Sequence, residues 1–437
     1  MHSTPLYQQV KNAIAPFVDD NQTSFTIALS GGVDSVVLLH VMNELKREIP
    51  TLQLSAVYVN HGLSNYADDW QRFCADLCRQ LSVVFTAASV TIEQRTRTSL
   101  EEQARDARYL ALDKYSAEGS VILLGQHLND QLETFLLRLK RGSGLKGLAS
   151  MRQTRILKSG RTCFRPLLNI TRSAIESFAK TFSLEHITDD SNTDERFDRN
   201  FIRQKVVPVL SDKFIGFEKS ASRSITLLQQ QQDLLNEYIQ QDLAKCQNET
   251  QGLSCAELAM FSAARQANVL RCWLEQFTAL MPSQKQTEQT LEQGINAQVD
   301  AQLKIQLKDG HIRRHQGFLY FVIHQTQEPL VVTAQSGNTF ILNNGARISP
   351  IHAKGIRPPR VDEHVTIRFD YLQAKIKPLN KPGRNTLKHW FKDAKVAPWL
   401  RASAPLIFYN DELVQVVGYF ISANHVSDEG IIWEYHA

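Results

Sequence analysis

Apolar and polar positions along the chain fall into three textures. In the first, four short apolar runs read as strands: FTIAL (25–29), LSAVYV (54–59), SVVFTAASV (82–90) and VILLG (121–125). Between them lie segments with apolar residues at helical spacing, such as ADDWQRFCADLCRQL (67–81). The first two runs stand about 30 residues apart, the size of one βαβ unit. Residues 1–213 are therefore expected to form an α/β domain, a doubly wound and mostly parallel sheet with helices on both faces. Ligands of such sheets bind beyond the carboxyl ends of the strands.

The second texture, residues 214–330, is expected to be a mainly helical domain. SRSITLLQQQQDLLNEYIQQDLAKC has apolar residues near helical spacing, and its glutamines read as a solvated face. At its end LKIQLKDGHIRRHQGFLYFV reads as a hairpin turning at Asp309-Gly310. The third, residues 331–437, is strand-like and turn-rich with one helical insert, TLKHWFKDAKV (386–396). It is expected to be a small α+β domain. A total of 437 residues suits two or three domains.

Composition narrows the setting. The six cysteines are scattered with no C-x-x-C pair, which suggests reduced thiols in a cytoplasmic protein. Cys74 and Cys78 sit four apart on an amphipathic segment and read as packing. No apolar run reaches about 18 residues and the N-terminus MHSTPLYQQV lacks a leader pattern, so a soluble chain with no membrane partner is expected. Net charge is only +4, so any nucleic-acid contact must come from local clusters. Two exist. Arg138 to Arg172 holds ten Lys/Arg and no acid, and Lys375 to Arg401 holds eight against the single Asp393.

The stretch FTIALSGGVDSVVLLHVM (25–42) carries the chemistry. A strand stops, Gly31 and Gly32 allow a tight turn with bare N–H groups, and a helix begins near Asp34. The helix N-terminus adds unpaired N–H groups and a positive dipole end, and Ser30 and Ser35 add hydroxyls. Ser30, Gly31, Gly32, Val33, Asp34 and Ser35 thus form a cradle suited to pyrophosphate. A plain strand–turn–helix connection with Asp34 as helix cap shares part of the pattern. The loop is not G-x-x-x-x-G-K-[ST], and no G-x-G-x-x-G occurs in it.

S-G-G-x-D-S resembles instead the PP-loop of the N-type ATP pyrophosphatases, whose domain is Rossmann-like and which cleave ATP between the α and β phosphates. Two further clusters, LLGQHLNDQLETFLLRLKRGSGLKGLASM (123–151) and RPLLNITRSAI (165–175) with DDSNTDERFDRNFIR (189–203), look like the tRNA(Ile)-lysidine synthase family. The segment LKHWFKDAKVAPWLRASAPLIFYNDELVQVVG (387–418) looks like that family's C-terminal domain. The resemblance implies ATP-dependent joining of lysine to C2 of cytidine 34 in the CAU anticodon of tRNA(Ile). The route is an adenylated tRNA, with release of AMP and pyrophosphate. It implies ATP, Mg²⁺, free lysine and that tRNA as cofactors and partners, and it leaves a homodimer open. The family's H-H-x-D-D reads here Gln126, His127, Leu128, Asn129, Asp130, so the second His and second Asp survive. Roles of the first His and first Asp do not carry over.

The reaction asks for positioning and charge neutralisation. Asp34 and Asp130 are the expected Mg²⁺ carboxylates. Arg105 and Arg108, three apart on one helix face, are expected to meet α-phosphate charge, in a helix opened by a capping box of Ser99 and Glu102. A solvated helix face is the other use of either arginine. Lysine must react as a neutral amine although its pKa is about 10.4, so the site needs a base or an orienting group. Asp130, with Glu133 one turn on, is that candidate, and His127 joins the catalytic set. Asn129 and Asp130 would also serve simply to open the helix running to Lys140. His61, in VNHGLS, is a nucleotide-pocket candidate or a plain loop histidine. For tRNA the expected contacts are Arg141, Lys146, Arg203, Lys388, Lys392 and Arg401. Trp390 and Trp399 can stack on bases or pack a small core. Two alternatives remain: a PP-loop tRNA thiolase, and a non-catalytic tRNA-binding protein with a degenerate ATPase domain.

Overall fold

Six strands form the sheet that positions the site. The computed structural model describes all residues except 19–22, 63, 65, 92–99, 189–196, 279, 297–302, 325–330, 334–338, 343–344 and 437. Ser99 of the expected capping box lies outside the described residues. After α1 (Pro5–Ile14) come β1 (Thr23–Ala28), α2 (Val33–Glu48), β2 (Leu52–Asn60), α3 (Ala67–Gln80), β3 (Val84–Ser89), α4 (Leu100–Tyr115) and β4 (Val121–Leu123). Then follow α5 (Leu128–Lys140), α6 (Leu145–Leu148), β5 (Thr154–Ile156), β6 (Thr162–Phe164), α7 (Arg172–Thr181), α8 (Asp198–Phe201), a π-helical turn at Ile202–Val206 and α9 (Val207–Lys213). The sheet order is β3-β2-β1-β4-β6-β5, parallel except for β5 against β6.

Both faces are covered, as the strand sequences require. Phe25, Ile27 and Leu29 point to one side, into a core shared with Val36, Leu39, Cys74, Cys78 and Phe178 of α2, α3 and α7. Val57, Ala88 and Ile122 point to the other, against Tyr109 and Leu112 of α4. Thr26, a polar residue in the most central strand, is satisfied by Ser55 Oγ at 2.9 Å and Ser120 Oγ at 2.8 Å. Chain order reverses between β1 and β4, so the crevice at their carboxyl ends is the topological switch point.

Two compact units are present, Met1–Asn236 and Glu237–Ala437. The division falls within the long helix α10 (Phe217–Cys246). Its first half packs Ala221 and Ile225 on Leu132 of α5. Two of its glutamines depart from the solvated face expected of them. Gln229 donates to the carbonyls of Ala149 and Met151 at 2.8 and 2.9 Å, and Gln232 is buried.

In the second unit β7 (Leu253–Ser254), α11 (Cys255–Ala259), α12 (Ala263–Glu275), α13 (Gln284–Asn296), β8 (Lys304–Gln306), β9 (Gly310–His315) and β10 (Phe318–Ile323) share a core around Trp273 and Leu319. The expected hairpin is there, between β8 and β9, but it turns one residue earlier, at Lys308-Asp309, with Gly310 already in β9; a second hairpin turns at Gln316-Gly317. Beyond it lie β11 (Val331–Thr333), β12 (Phe340–Ile341), β13 (Arg347–Ile356), β14 (Val365–Arg368), β15 (Lys375–Ile376), β16 (Asn385–Thr386), α14 (Leu387–Asp393), α15 (Pro398–Arg401), β17 (Leu406–Tyr409), β18 (Glu412–Val416), β19 (Phe420–Ile421) and β20 (Val426–His436). These form antiparallel sheets with α14 packed through Leu387, Trp390 and Phe391. The fold is thus the α/β domain, helical middle and mixed C-terminal part that the hydrophobic pattern implies.

Candidate active site

Leu29 N still bonds Val57 O at 2.9 Å, so the chain leaves the sheet only at Ser30. Gly31 then takes φ +85°, and a Cβ there would lie 2.4 Å from Ile187 Cδ1. Its carbonyl accepts from Ile187 N at 2.9 Å, which fixes the turn. Gly32 is the N-cap of α2, and no side chain caps that helix. Ser35 Oγ donates to Gly32 O at 3.0 Å and lies 3.2 Å from both Ser30 Oγ and Ser30 N. Asp34 is therefore not the cap. It sits inside the first turn, and its carboxylate faces the end of β4. Val33 is buried beneath the turn.

The opposite wall begins at Gly125, where a Cβ would come 3.2 Å from the backbone of Asp34 and Ser35. His127 and not Asn129 or Asp130 caps α5: its Nδ1 accepts from Asn129 N at 3.2 Å, and Asp130 Oδ2 accepts from His127 N at 3.1 Å. An Nδ1 that accepts leaves the neutral ring's proton on Nε2. That Nε2 lies 3.6 Å from Asp34 Oδ1 and 3.6 Å from Asp130 Oδ2. The capping box of α5 thus places a buried histidine between two carboxylates.

The carboxylates differ in environment. Burial pushes Asp34 above the ordinary carboxylate range; His127 opposes this and Asp130 adds to it. Asp34 Oδ1 is buried with no hydrogen-bond partner. Burial also acts to raise Asp130, but His127, Arg199, the His127 N–H and Arg203 outweigh it and hold that carboxyl below the ordinary range. Arg199 reaches Asp130 at 2.9 Å and Glu133 at 2.7 Å, and Arg203 reaches them at 3.2 and 2.6 Å. Arg203, expected on a tRNA surface, is thus occupied with two carboxylates. Neither arginine–carboxylate pairing was foreseen, although Arg199 and Arg203 stand at helical i,i+4 spacing.

Arg105 and Arg108 lie on α4, each with its guanidinium 5.9 Å from the Tyr109 ring centre. Arg108 feels the charges of Arg199 and Asp130 and its Nε is buried without a partner; burial depresses half-buried His61, and Arg108 adds to this. The two departures from the family pattern have partners. Gln126 Oε1 accepts from Arg165 Nε. Asn129 donates to Glu218 at 3.1 Å and accepts from Arg172 N at 3.0 Å. Of the other basic candidates, Arg141, Lys146, Lys388 and Lys392 are exposed. Arg401 is turned back on Val396 O at 2.9 and 2.7 Å. Trp390 is core, its indole N–H on Ile376 O, and Trp399 is half-buried with Arg313 5.7 Å from its ring centre.

Comparison with known proteins fits this arrangement. A PP-loop domain model matches residues 3–210, a TilS substrate binding domain 253–320 and a TilS substrate C-terminal domain 365–433. The PP-loop match makes the first unit an ATP-binding domain. The chain is 37% identical to the tRNA(Ile)-lysidine synthase of Vibrio parahaemolyticus, over 98% of both chains. It is 37% identical to that of Photobacterium profundum, over 97% of this chain and 98% of the other. Among solved structures, the U34-tRNA thiolase NcsA from Methanococcus maripaludis aligns with a TM-score of 0.44 at 18% identity, over 51% of this chain and 78% of that one. With the near-full-length identities and all three domain matches in register, the chain belongs to the tRNA(Ile)-lysidine synthase family.

Proposed function

We propose that this protein joins lysine to C2 of cytidine 34 in the CAU anticodon of tRNA(Ile), at the expense of ATP, in the cytoplasm. The observation that carries the reading is the Asp34–His127–Asp130 constellation beside the 30–35 cradle at the switch point, in a chain 37% identical to such synthases over 98% of its length. The loop N–H groups and Ser30 and Ser35 hold the departing pyrophosphate. The cytosine O2 attacks the α-phosphorus, and the bond to the bridging oxygen breaks. Arg108, with a buried and unpartnered Nε, and Arg105 stabilise the charge that spreads over the equatorial oxygens. His61 lines the nucleotide pocket. The unpartnered Oδ1 of Asp34 suits a hard cation, so Asp34 would hold Mg²⁺, which neutralises phosphate charge when bound.

In the second half the lysine amine attacks C2 and AMP leaves. Asp130 stays ionised at neutral pH because its carboxyl lies below the ordinary range, so its charge orients the amine, and it accepts the proton that becomes acidic as the nitrogen bonds to C2. Glu133 shares the arginines with it and sets its position. Exposed Arg141, Lys146, Lys388 and Lys392 contact tRNA phosphates. A sulfur-transfer reading would need a thiolate, yet burial pushes Cys74 and Cys78 up to about 12. Incubation with ATP, radiolabelled lysine and total tRNA tests the proposal. Label that stays on tRNA through alkaline treatment that strips aminoacyl esters supports it, and its absence with active tRNA and ATP defeats it.

A further inference from the structure

Beside the switch-point crevice lies a second concavity, which shares only Arg105 with the chemistry above. It is a cavity of about 190 Å³ framed by α4, α5 and the β5–β6 hairpin, and five arginines line it: Arg105, Arg138, Arg152, Arg155 and Arg165. No carboxylate lines it. Arg152 is paired with Asp233 at 2.7 Å, but among the described residues Arg105, Arg138 and Arg155 have no carboxylate within ion-pair distance. Such crowding of like charges is unfavourable unless something holds it. Here Tyr109 does. Three guanidinium groups lie near its ring, Arg155 at 4.3 Å and Arg105 and Arg108 at 5.9 Å, and Arg165 donates to its hydroxyl at 3.1 Å. Arg165 is itself buried and braced by Gln126 Oε1 and by the carbonyl of Arg152 at 2.7 Å. The positive field is strong enough that the Tyr109 phenol, although burial raises it, ends below its ordinary range under Arg165 and Arg108.

We propose that this pocket is a preorganised oxyanion site that takes a phosphodiester of the tRNA anticodon strand beside the reacting cytidine. The inference rests on the ligase reading above. The phosphates of ATP already have the 30–35 cradle, at the end of β1. The arginine pocket instead runs along α5 from the proposed acceptor group: Thr134 and Arg138, both in its lining, stand four and eight residues after Asp130, about 6 and 12 Å along one helix face. It also opens into the acid-free basic run from Arg138 to Arg172. A strand whose base reaches Asp130 therefore passes its backbone over the pocket. Planar guanidinium forks match phosphate oxygens, and contacts of this kind fix register without reading sequence.

The test uses the full-length protein, with Arg138→Gln, Arg155→Gln and the double variant, both positions being exposed. Binding of an anticodon stem-loop is measured against salt, with parallel series in which single phosphodiesters around cytidine 34 are replaced by uncharged methylphosphonates. The double variant should bind about 10-fold more weakly at low salt and lose about 0.7 to 1 from the slope of log K against log salt. One methylphosphonate should weaken the parent protein by a similar factor and add nothing in the double variant. Full additivity at every linkage, or unchanged tRNA affinity, overturns the proposal. So does a result in which ATP or inorganic pyrophosphate loses affinity while tRNA does not, which would give the pocket to the nucleotide. These binding readouts stand whether or not lysine is incorporated, so failure of the ligase reading shows separately, as absence of labelled tRNA with the parent protein.

Discussion

Asp34 and Asp130 face one histidine from two sides, yet they should respond to substitution in opposite ways. A carboxyl raised on folding costs stability once pH exceeds its ordinary value, because the folded state then holds a proton more tightly than the unfolded chain. Asp34→Asn should therefore raise Tm at pH 7 while lowering adenylate formation by at least about 100-fold. The gap in Tm should close on acidification towards pH ~4. A lower Tm at neutral pH would show that the Asp34 carboxylate stabilises the fold. Asp130 is the reverse case: its folded value is depressed, so its contribution is present above the ordinary carboxylate range and lost as pH falls through the folded value. Asp130→Asn should lower Tm at pH 7 and slow lysine transfer by about 100-fold, with adenylation reduced by less than about 10-fold. Equal loss of both half-reactions would make Asp130 a phosphate-side group instead. Sequence alone could single out these two residues because S-G-G-x-D-S and H-x-x-D are local patterns. It could not show that Glu133 meets Arg199 and Arg203, which lie 66 and 70 residues further along.

At the scale of elements, the helix starts repay comparison. The start of α2 is left without a side-chain cap, whereas α5 has a full reciprocal box made by His127 and Asp130. The uncapped start presents N–H groups to a ligand, and the capped one spends its donors on placing two catalytic candidates. α14 carries the other surface of interest. Its buried side is Leu387, Trp390 and Phe391, which leaves Lys388 and Lys392 on solvent. Charge reversal at both should weaken tRNA binding about 10-fold at low salt and flatten its salt dependence, with ATP affinity unchanged. Unchanged tRNA affinity would remove this helix from the interface. Deletion of the C-terminal part needs a boundary respecting β13, which pairs with β20 over most of its length. A cut at 355 would sever that ladder, and one at 340 would strand β11 without its partner β14, so removal from 331 onward is the cleaner truncation. The pairing joins segments some 80 residues apart, and nothing local in the sequence announces it.

For the molecule as a whole, a net charge of +4 hides a sharply uneven distribution. The basic run at 138–172 lies in the first unit and that at 375–401 in the second. Loss of residues 331–437 should lower tRNA affinity and the salt slope together while ATP binding persists, because the cradle and its sheet lie wholly in the first unit. If ATP binding were lost too, the second unit would be required for the first to fold. The hydrophobic periods were sufficient to place four of the five parallel strands near their observed positions, since a buried parallel strand is a continuous apolar run; β6, only three residues long and with one of them polar, gave no such run. The antiparallel part was legible only as texture. Most of its strands are short, its two longest, β13 and β20, pair across a long separation in sequence, and the order in which the strands join is not encoded in the local pattern.

The turn at Gly31 has a consequence for genetics. Replacement by alanine meets two independent obstacles, a backbone of φ +85° and a methyl group driven into Ile187. Shortening Ile187 would relieve the second and leave the first. In a screen for second-site suppressors of Gly31→Ala, a change at Ile187 should therefore restore function at most in part, and full reversion should require glycine itself.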